Sequence, residues 1–163
     1  RFSHCRGAKA DFSGADCTEA TFSDCDFNNG SFHGATLTSV RFKSCKLTGV
    51  DFSKVRTFDI SFVDCLLVAA RMASMTFRKE KLVGIDFSMA DLSDWDFRDA
   101  SFERSSLREA NIERASFHNA DLRGADLGGL PLLKDRQRFR GAVISAAQAD
   151  LVLDEYGFRV RAK

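Results

Sequence analysis

Ala120-Asp121-Leu122-Arg123-Gly124 is followed at once by Ala125-Asp126-Leu127. A small residue, a polar residue and a large apolar one are followed by two more before the small residue returns, so the unit is a pentapeptide. Stepping by five from Phe2 to Leu127 visits 26 positions, of which 23 hold Phe, Leu, Ile or Met; only Gly7, Cys17 and Thr57 depart. Thirteen of the 16 Phe residues occupy this slot. Two residues earlier the chain is usually small, as at Ala10, Ala35, Ala90 and Ala120. The phase is unbroken from residue 2 to 130. A helix cannot carry an apolar stripe of period five, so helical and heptad readings fail together.

Strand geometry supplies the alternative. Side chains two apart in an extended segment point the same way. The small and large residues therefore face inward, and the polar residue between them faces out. Alternation cannot continue across the remaining two residues, so the chain turns a corner there. Gly14, Asn28, Asn29, Gly34, Gly49, Gly84 and Gly124 stand at such places, as turn chemistry favours. Four right-angled corners close a coil of 20 residues, and Cys5, Cys25, Cys45 and Cys65 share that spacing, so they stack in one column. Strands about 4.8 Å apart make a rod roughly 30 Å long over residues 1–130. Each buried Phe or Leu contributes roughly 1.5–3 kcal/mol, set against about 1–2 kcal/mol of backbone entropy per ordered residue. One coil cannot stand alone, and the stack must cooperate.

Composition narrows the function classes. The chain has 163 residues, with 24 Lys+Arg against 23 Asp+Glu, a net charge of +1. A general nucleic-acid binder is distinctly basic. No apolar run approaches the 18 or so residues of a membrane span. All five cysteines, Cys17 included, fall on inward phases and read as small apolar filler. Parallel stacking is poor disulfide geometry, and free buried thiols point to a reducing compartment, the cytoplasm. His4, His33 and His118 lie on outward phases in different columns with no ligand spacing. No phosphate-cradling Gly-rich motif and no C-x-x-C pair occurs. The expectation is a protein without catalytic, cofactor or metal site. The chain starts in phase at Arg1 with no cap over Phe2, which leaves room for residues upstream.

Residues 57–95 break the pattern. Thr57 occupies a large slot, and Met75, Glu80 and Trp95 occupy small ones. An inward Glu80 is costly without a partner, so a local bulge or a buried pairing is expected, the bulge preferred. Val63, Leu66, Val68 and Val83 fall on outward phases. Either a local shift buries them or they form an apolar patch for a partner.

The A-(D/N)-L-x-x motif of residues 120–127 resembles the pentapeptide-repeat family over about four-fifths of the chain. That resemblance implies an all-β fold: a right-handed quadrilateral parallel β-helix of six to seven coils over 1–132, with a C-terminal module over 133–163. Residues 133–138 interrupt the phase, and Phe139 and Ile144 resume it shifted by two. Ser145 with Gln148 forms a capping-box pattern. Ala149, Val152, Leu153 and Tyr156 then make a helical stripe, Gly157 is the stop, and Phe158 and Val160 follow in a short strand-like segment. This ending is similar to the C-terminal module of the Qnr and MfpA type of resistance proteins. In those relatives the module dimerises end to end, and the elongated dimer resembles duplex DNA and binds DNA gyrase, shielding it from quinolones or inhibiting it. The resemblance thus implies a homodimer through Ala149, Val152, Leu153, Tyr156 and Phe158, with DNA gyrase or topoisomerase IV as partner. The carboxylates available for mimicry lie in two acidic stretches. Asp11, Asp16, Glu19, Asp24 and Asp26 stand with no base between 11 and 30, and Asp86, Asp91, Asp94, Asp96, Asp99 and Glu103 stand with only Arg98 between 84 and 103. Nine bases against four acids separate them over 36–81. A scaffold of the same fold with another protein partner is the alternative, and direct DNA binding through the basic middle band is the third.

Overall fold

The computed structural model describes residues 1–72 and 74–161, and it is a parallel β-solenoid of about six turns ending in one helix. Through residue 126 the coil-to-coil register is 20 residues: Phe2 lies beside Phe22, Phe22 beside Phe42, and Phe42 beside Phe62. The first wall is a six-stranded parallel sheet formed by Phe2–Ser3, Thr21–Ser23, Arg41–Lys43, Ser61–Val63, Lys81–Val83 and Ser101–Glu103. The other three walls are joined by single bridges such as Asp26–Lys46, Asp11–Ser31 and Asp96–Ser116, or by two-stranded pairs.

Inside the lower coils, the repeated slot becomes two stacks of aromatic rings, and a third runs through Phe77, Phe97 and Phe117 in the upper coils. Phe2, Phe22, Phe42 and Phe62 stack at 4.8, 4.9 and 5.1 Å, and Phe12, Phe32 and Phe52 at 4.8 and 5.2 Å. The two columns meet edge to face, as Phe22 meets Phe32 at 5.8 Å and 83°. Offset stacks and edge contacts are the favourable geometries of the ring quadrupole. Cys17, Cys25, Cys45 and Cys65 are buried and Cys5 partly so, all with free thiols. In the cysteine column Cys45 Sγ reaches Phe22 O and Cys65 Sγ reaches Phe42 O. Ser105 stands in the same column higher up, donating to Leu82 O and accepting from Ile85 N.

The corners have a backbone conformation that composition does not reveal. At most corners the second residue after the large slot is left-handed, and 19 of these positions are not glycine; they include Ala69 (φ 53°) and Met89 (φ 58°), whereas Gly124 is not left-handed. At many corners the large residue's carbonyl accepts from the small residue three positions on, as Ala10 N to Gly7 O and Ala90 N to Phe87 O. The next coil fixes most corners further, Lys9 N donating to Asn28 O and Met89 N to Arg108 O. Stacking thus over-determines a conformation that side chains otherwise avoid.

Two expectations fail. Glu80 is neither in a bulge nor in a buried pair: it is exposed, while its backbone keeps phase with the coil above through Ser101 N to Glu80 O. The coil below has instead parted from it. Thr57, Asp59, Thr76 and Lys81 make none of the coil-to-coil amide bonds that their counterparts make elsewhere, such as Phe27 N to Lys46 O or Arg41 N to Ala20 O. The cause lies in the oversized small slots. Trp95 is fully buried, 5.2 Å from both Phe77 and Phe97, which it spreads to 6.4 Å, against 4.9 Å for Phe97–Phe117. Met75 is buried beneath it, and Thr57 offers no ring to meet Phe77 from below. The fourth wall therefore opens into a cleft.

The strand-like segment after Gly157 also fails to form: residues 158–161 pair with no strand. The rest of the tail is as expected. Phe139 stacks on Phe117 at 5.1 Å and Val143 bridges Asp121, a spacing of 22 that absorbs the extra two residues. The helix α1 (Ala146–Glu155) starts in a full Ser145–Gln148 capping box and is followed by Gly157 at φ 82°.

Candidate functional site

A rod that buries its apolar residues presents function on its walls and ends. The outward Asp of the pentapeptide has a local task first. Asp11 Oδ1 accepts from Ser13 N, Asp16 from Thr18 N and Oγ1, Asp86 from Ser88 N, Asp91 from Ser93 N, and Asp96 from Arg98 N. These bonds satisfy the amide that follows the large slot. The Ser13 and Thr18 side chains keep Asp11 and Asp16 below the ordinary carboxylate range, and the Arg98 guanidinium does the same for Asp96.

The structure distributes the two acidic stretches differently from a stripe. Twenty residues make one coil, so each stretch wraps all four walls as a ring. In the upper ring most charges are neutralised, three by neighbouring coils and one within the ring: Asp94 pairs with Arg114 at 2.6 Å, Asp99 with Arg78 at 3.4 Å and Glu103 with Lys81 at 2.6 Å, while Asp96 pairs with Arg98 of the same coil at 2.6 Å. Asp86 and Asp91 enter none of the ion pairs among the described residues. In the lower ring, none of Asp11, Asp16, Glu19, Asp24 and Asp26 has a cationic partner among the described residues. All five lower-ring acids are thus unpaired among the described residues, against two of six in the upper ring.

The apolar positions stay outside. Val63 and Val83 lie side by side on the first wall, with Val63 37% exposed. Leu66, 41% exposed, and the half-buried Val68 lie around the Asp64–Cys65 corner on the second wall. Met89 (55%) and Phe58 (75%) are also bare. Sequence reasoning missed both, although Phe58 breaks the polar rule of its position and could have been read from that.

At the far end, Ala149, Val152 and Leu153 are half-buried, and Val152 packs against the core. Tyr156 and Phe158 are exposed. Gln148 docks the helix as well as capping it, its Nε2 donating to Leu122 O and Ala125 O at 2.7 Å each. Leu151, 67% exposed, lies off the helical stripe and beside Val160, and Tyr156 and Phe158 are bare in the same terminal segment. Among the described residues no group of three or more His, Cys, Asp or Glu side chains is arranged to hold a metal ion. No helix among them is long and apolar enough to cross a membrane. His33 engages Ser53, and His118 the carbonyl of Gln137.

A parallel solenoid of pentapeptide period with a docked terminal helix defines a repeat-rod scaffold. Two profiles agree, one for a pentapeptide repeat region over residues 35–112 and one for pentapeptide repeats in eight copies over residues 15–53. The chain belongs to the pentapeptide-repeat family. No curated protein sequence matches it. Among solved structures, a trypsin-treated form of QnrB1, a plasmid-mediated fluoroquinolone resistance protein, matches at TM-score 0.61 and 23% identity, covering 99% of this chain and 91% of its own. A second trypsin-treated form matches at TM-score 0.59 and 24% identity, covering 98% and 89%. Full-length QnrB1 matches at TM-score 0.54 and 18% identity, covering 96% and 100%. The shared feature is the fold, from first coil to terminal helix.

Proposed function

We propose that the protein is a binding rod that engages a type II topoisomerase, DNA gyrase or topoisomerase IV, and modulates it or protects it from quinolones. The supporting observation is the extent of the Qnr-like architecture, which runs through the terminal helix as well as the coils. On this reading the unpaired ring of Asp11, Asp16, Glu19, Asp24 and Asp26 is the part that meets a basic DNA-binding groove, where spaced carboxylates take the place of phosphates. The bare apolar residues of the terminal segment, Leu151, Tyr156 and Phe158, are the dimer contact. Five free cysteines suit a reducing compartment, and we place the protein in the cytoplasm.

One observation favours a second reading, a scaffold of the same fold for a different protein. The upper ring has Asp94, Asp96, Asp99 and Glu103 already paired with the rod's own bases, which leaves no acidic stripe along its length. A supercoiling assay with and without ciprofloxacin separates the two. The topoisomerase reading expects inhibition or protection at micromolar protein, weakened when the five lower-ring acids become Asn or Gln. Absence of both effects rejects it and leaves the scaffold. Light scattering tests the end contact: Leu151→Asp with Phe158→Asp gives monomers, and a variant that stays dimeric removes that assignment.

A further inference from the structure

The cleft in the fourth wall is lined by Phe58, Ile60, Met75, Phe77 and Glu80 and is closed at one corner by the Arg41–Asp59 pair at 2.8 Å. Its volume is about 530 Å³, inside the roughly 300–1,000 Å³ of ordinary ligand sites. We propose that it is a peptide-binding slot, taking one extended segment as an additional strand between the two parted coils, a segment that alternates apolar and acidic side chains.

Three independent features specify that occupant. The first is the main chain. The strand Arg56–Phe58 pairs below with Thr36–Thr38 and with nothing above, so it is an edge strand in the middle of the rod. Its amide donors at Thr57 and Asp59 face the free donors Thr76 and Lys81 of the upper lip, which is itself held to the next coil by Phe77 N to Asp96 O. Both lips run in the same direction, so an inserted strand lies parallel to each and pairs on both edges, the geometry of β-strand addition.

The second is volume. Thr57 is the short member of its column, between Leu37 below and Phe77 above. An inward apolar side chain on the inserted strand fills the place that Phe or Leu holds elsewhere in the rod. Phe58, three-quarters exposed at the lower lip, gives an outward neighbour a ring to lie on.

The third is charge. Arg56 donates to Thr36 Oγ1 and has no carboxylate partner, and neither has Lys79, among the described residues. Arg78 is paired to Asp99, Arg41 to Asp59, and Glu80 alone opposes the free cations. Outward residues of the inserted strand flank Arg56 and the upper-lip bases, so they are acidic. The same argument excludes the chain's own tail, Phe158-Arg159-Val160-Arg161, from a second copy, since its alternate residues are basic.

The probe is a fluorescein-labelled hexapeptide of alternating Glu and Leu, followed by anisotropy and by hydrogen exchange on the full chain. Saturable binding is expected, with slowed exchange at Thr57, Asp59, Thr76 and Lys81. Methylating alternate peptide nitrogens abolishes it. Arg56→Glu with Lys79→Glu weakens it roughly tenfold and favours the Lys-Leu counterpart by a like factor. Thr57→Leu, which fills the column while the rod stays folded by circular dichroism, also weakens it. No saturation at millimolar peptide, unaltered exchange at the four amides, indifference to the charge reversal, or tighter binding of a Phe-Arg-Val-Arg peptide would each overturn the proposal. So would slow exchange at those amides in the free protein, which means a closed cleft. None of these readouts involves a topoisomerase, so the slot stands or falls apart from that reading.

Discussion

Replacing Trp95 by alanine tests the account of why the fourth wall parts. An ordinary buried Trp or Phe replaced by Ala costs about 3–5 kcal/mol through lost transfer energy and the cavity left behind. Phe42 is the internal reference. It is 1% exposed, stacked at 4.9 and 5.1 Å and held edge to face at 5.6 and 5.8 Å, so Phe42→Ala takes the full loss. Trp95 has three offsets. Ala is the residue of its slot at positions 15, 35 and 115 of the same column, so the backbone already suits it. Its buried Nε1 has no hydrogen-bond partner, and removing such a group relieves roughly 1–3 kcal/mol. Without the indole, Phe77 and Phe97 can close from 6.4 Å, and the coil below can regain amide bonds at Thr57, Asp59, Thr76 and Lys81, each about 0.5–1.5 kcal/mol. The expected loss for Trp95→Ala is about 2 kcal/mol or less, with slowed exchange at those four amides. Urea titrations followed by circular dichroism on the two variants measure the difference. If Trp95→Ala costs as much as Phe42→Ala and the four amides still exchange fast, the wedge explanation is wrong.

The thiol column predicts its own chemistry: Ellman's reagent labels Cys5 quickly in the native protein, and Cys25, Cys45 and Cys65 only on unfolding. Its hydrogen bond with Cys45, and then burial, hold the Cys65 thiol above its ordinary value. Fast native labelling of three or more thiols contradicts the packing. Acid should weaken the rod through its carboxylates. Asp16, held low by the Thr18 side chain, and Asp96, held low by Arg98, have folded values below their unfolded ones. Their contribution is thus complete above the unfolded value of about 3.9 and is lost as pH falls through the folded values. Urea midpoints should be level between about pH 7 and 5 and fall below about 4; a midpoint that rises on acidification opposes this. Gln148→Ala removes two bonds to the last coil and half of the capping box, about 2–3 kcal/mol of helix docking. Exchange should quicken over residues 146–155 and stay unchanged in the first-wall strands, and uniform loosening would deny the helix its separate role.

What was legible in the sequence is what repeats. Period five gives strand and corner, the cysteines give the 20-residue register, and Ser145 with Gln148 gives the helix start, because each signal sits within a few residues or recurs at a fixed step. What was not legible depends on a neighbour one coil away. Whether Glu80 faces in is decided by Trp95 above and Thr57 below, and none of the three lies near another in sequence. The acidic stretches look like bands in a linear reading and become rings once wound, and their neutralisation by Arg78, Lys81 and Arg114 depends on side chains about 20 residues away. The bare apolar residues of the terminal segment include Leu151, which the helical stripe passed over because only docking decides which face is covered. Nor does residue type reveal the left-handed corners, since Ala69 and Met89 have no special liking for that conformation.

Those corners set how the rod can come into being. A left-handed residue other than glycine is disfavoured by roughly 1 kcal/mol or more when nothing holds it, and 19 of them recur at regular steps along this chain. Most are held by an amide bond to the adjoining coil, as Lys9 N is to Asn28 O and Met89 N to Arg108 O, so an isolated turn has the strain without the support. Assembly then proceeds as growth on a seed: two coils must meet before either persists, and every further coil finds a finished template edge. The length of such a rod is a count of whole turns. Twenty residues can be added or lost without disturbing a column, whereas five would move every later column to the next wall.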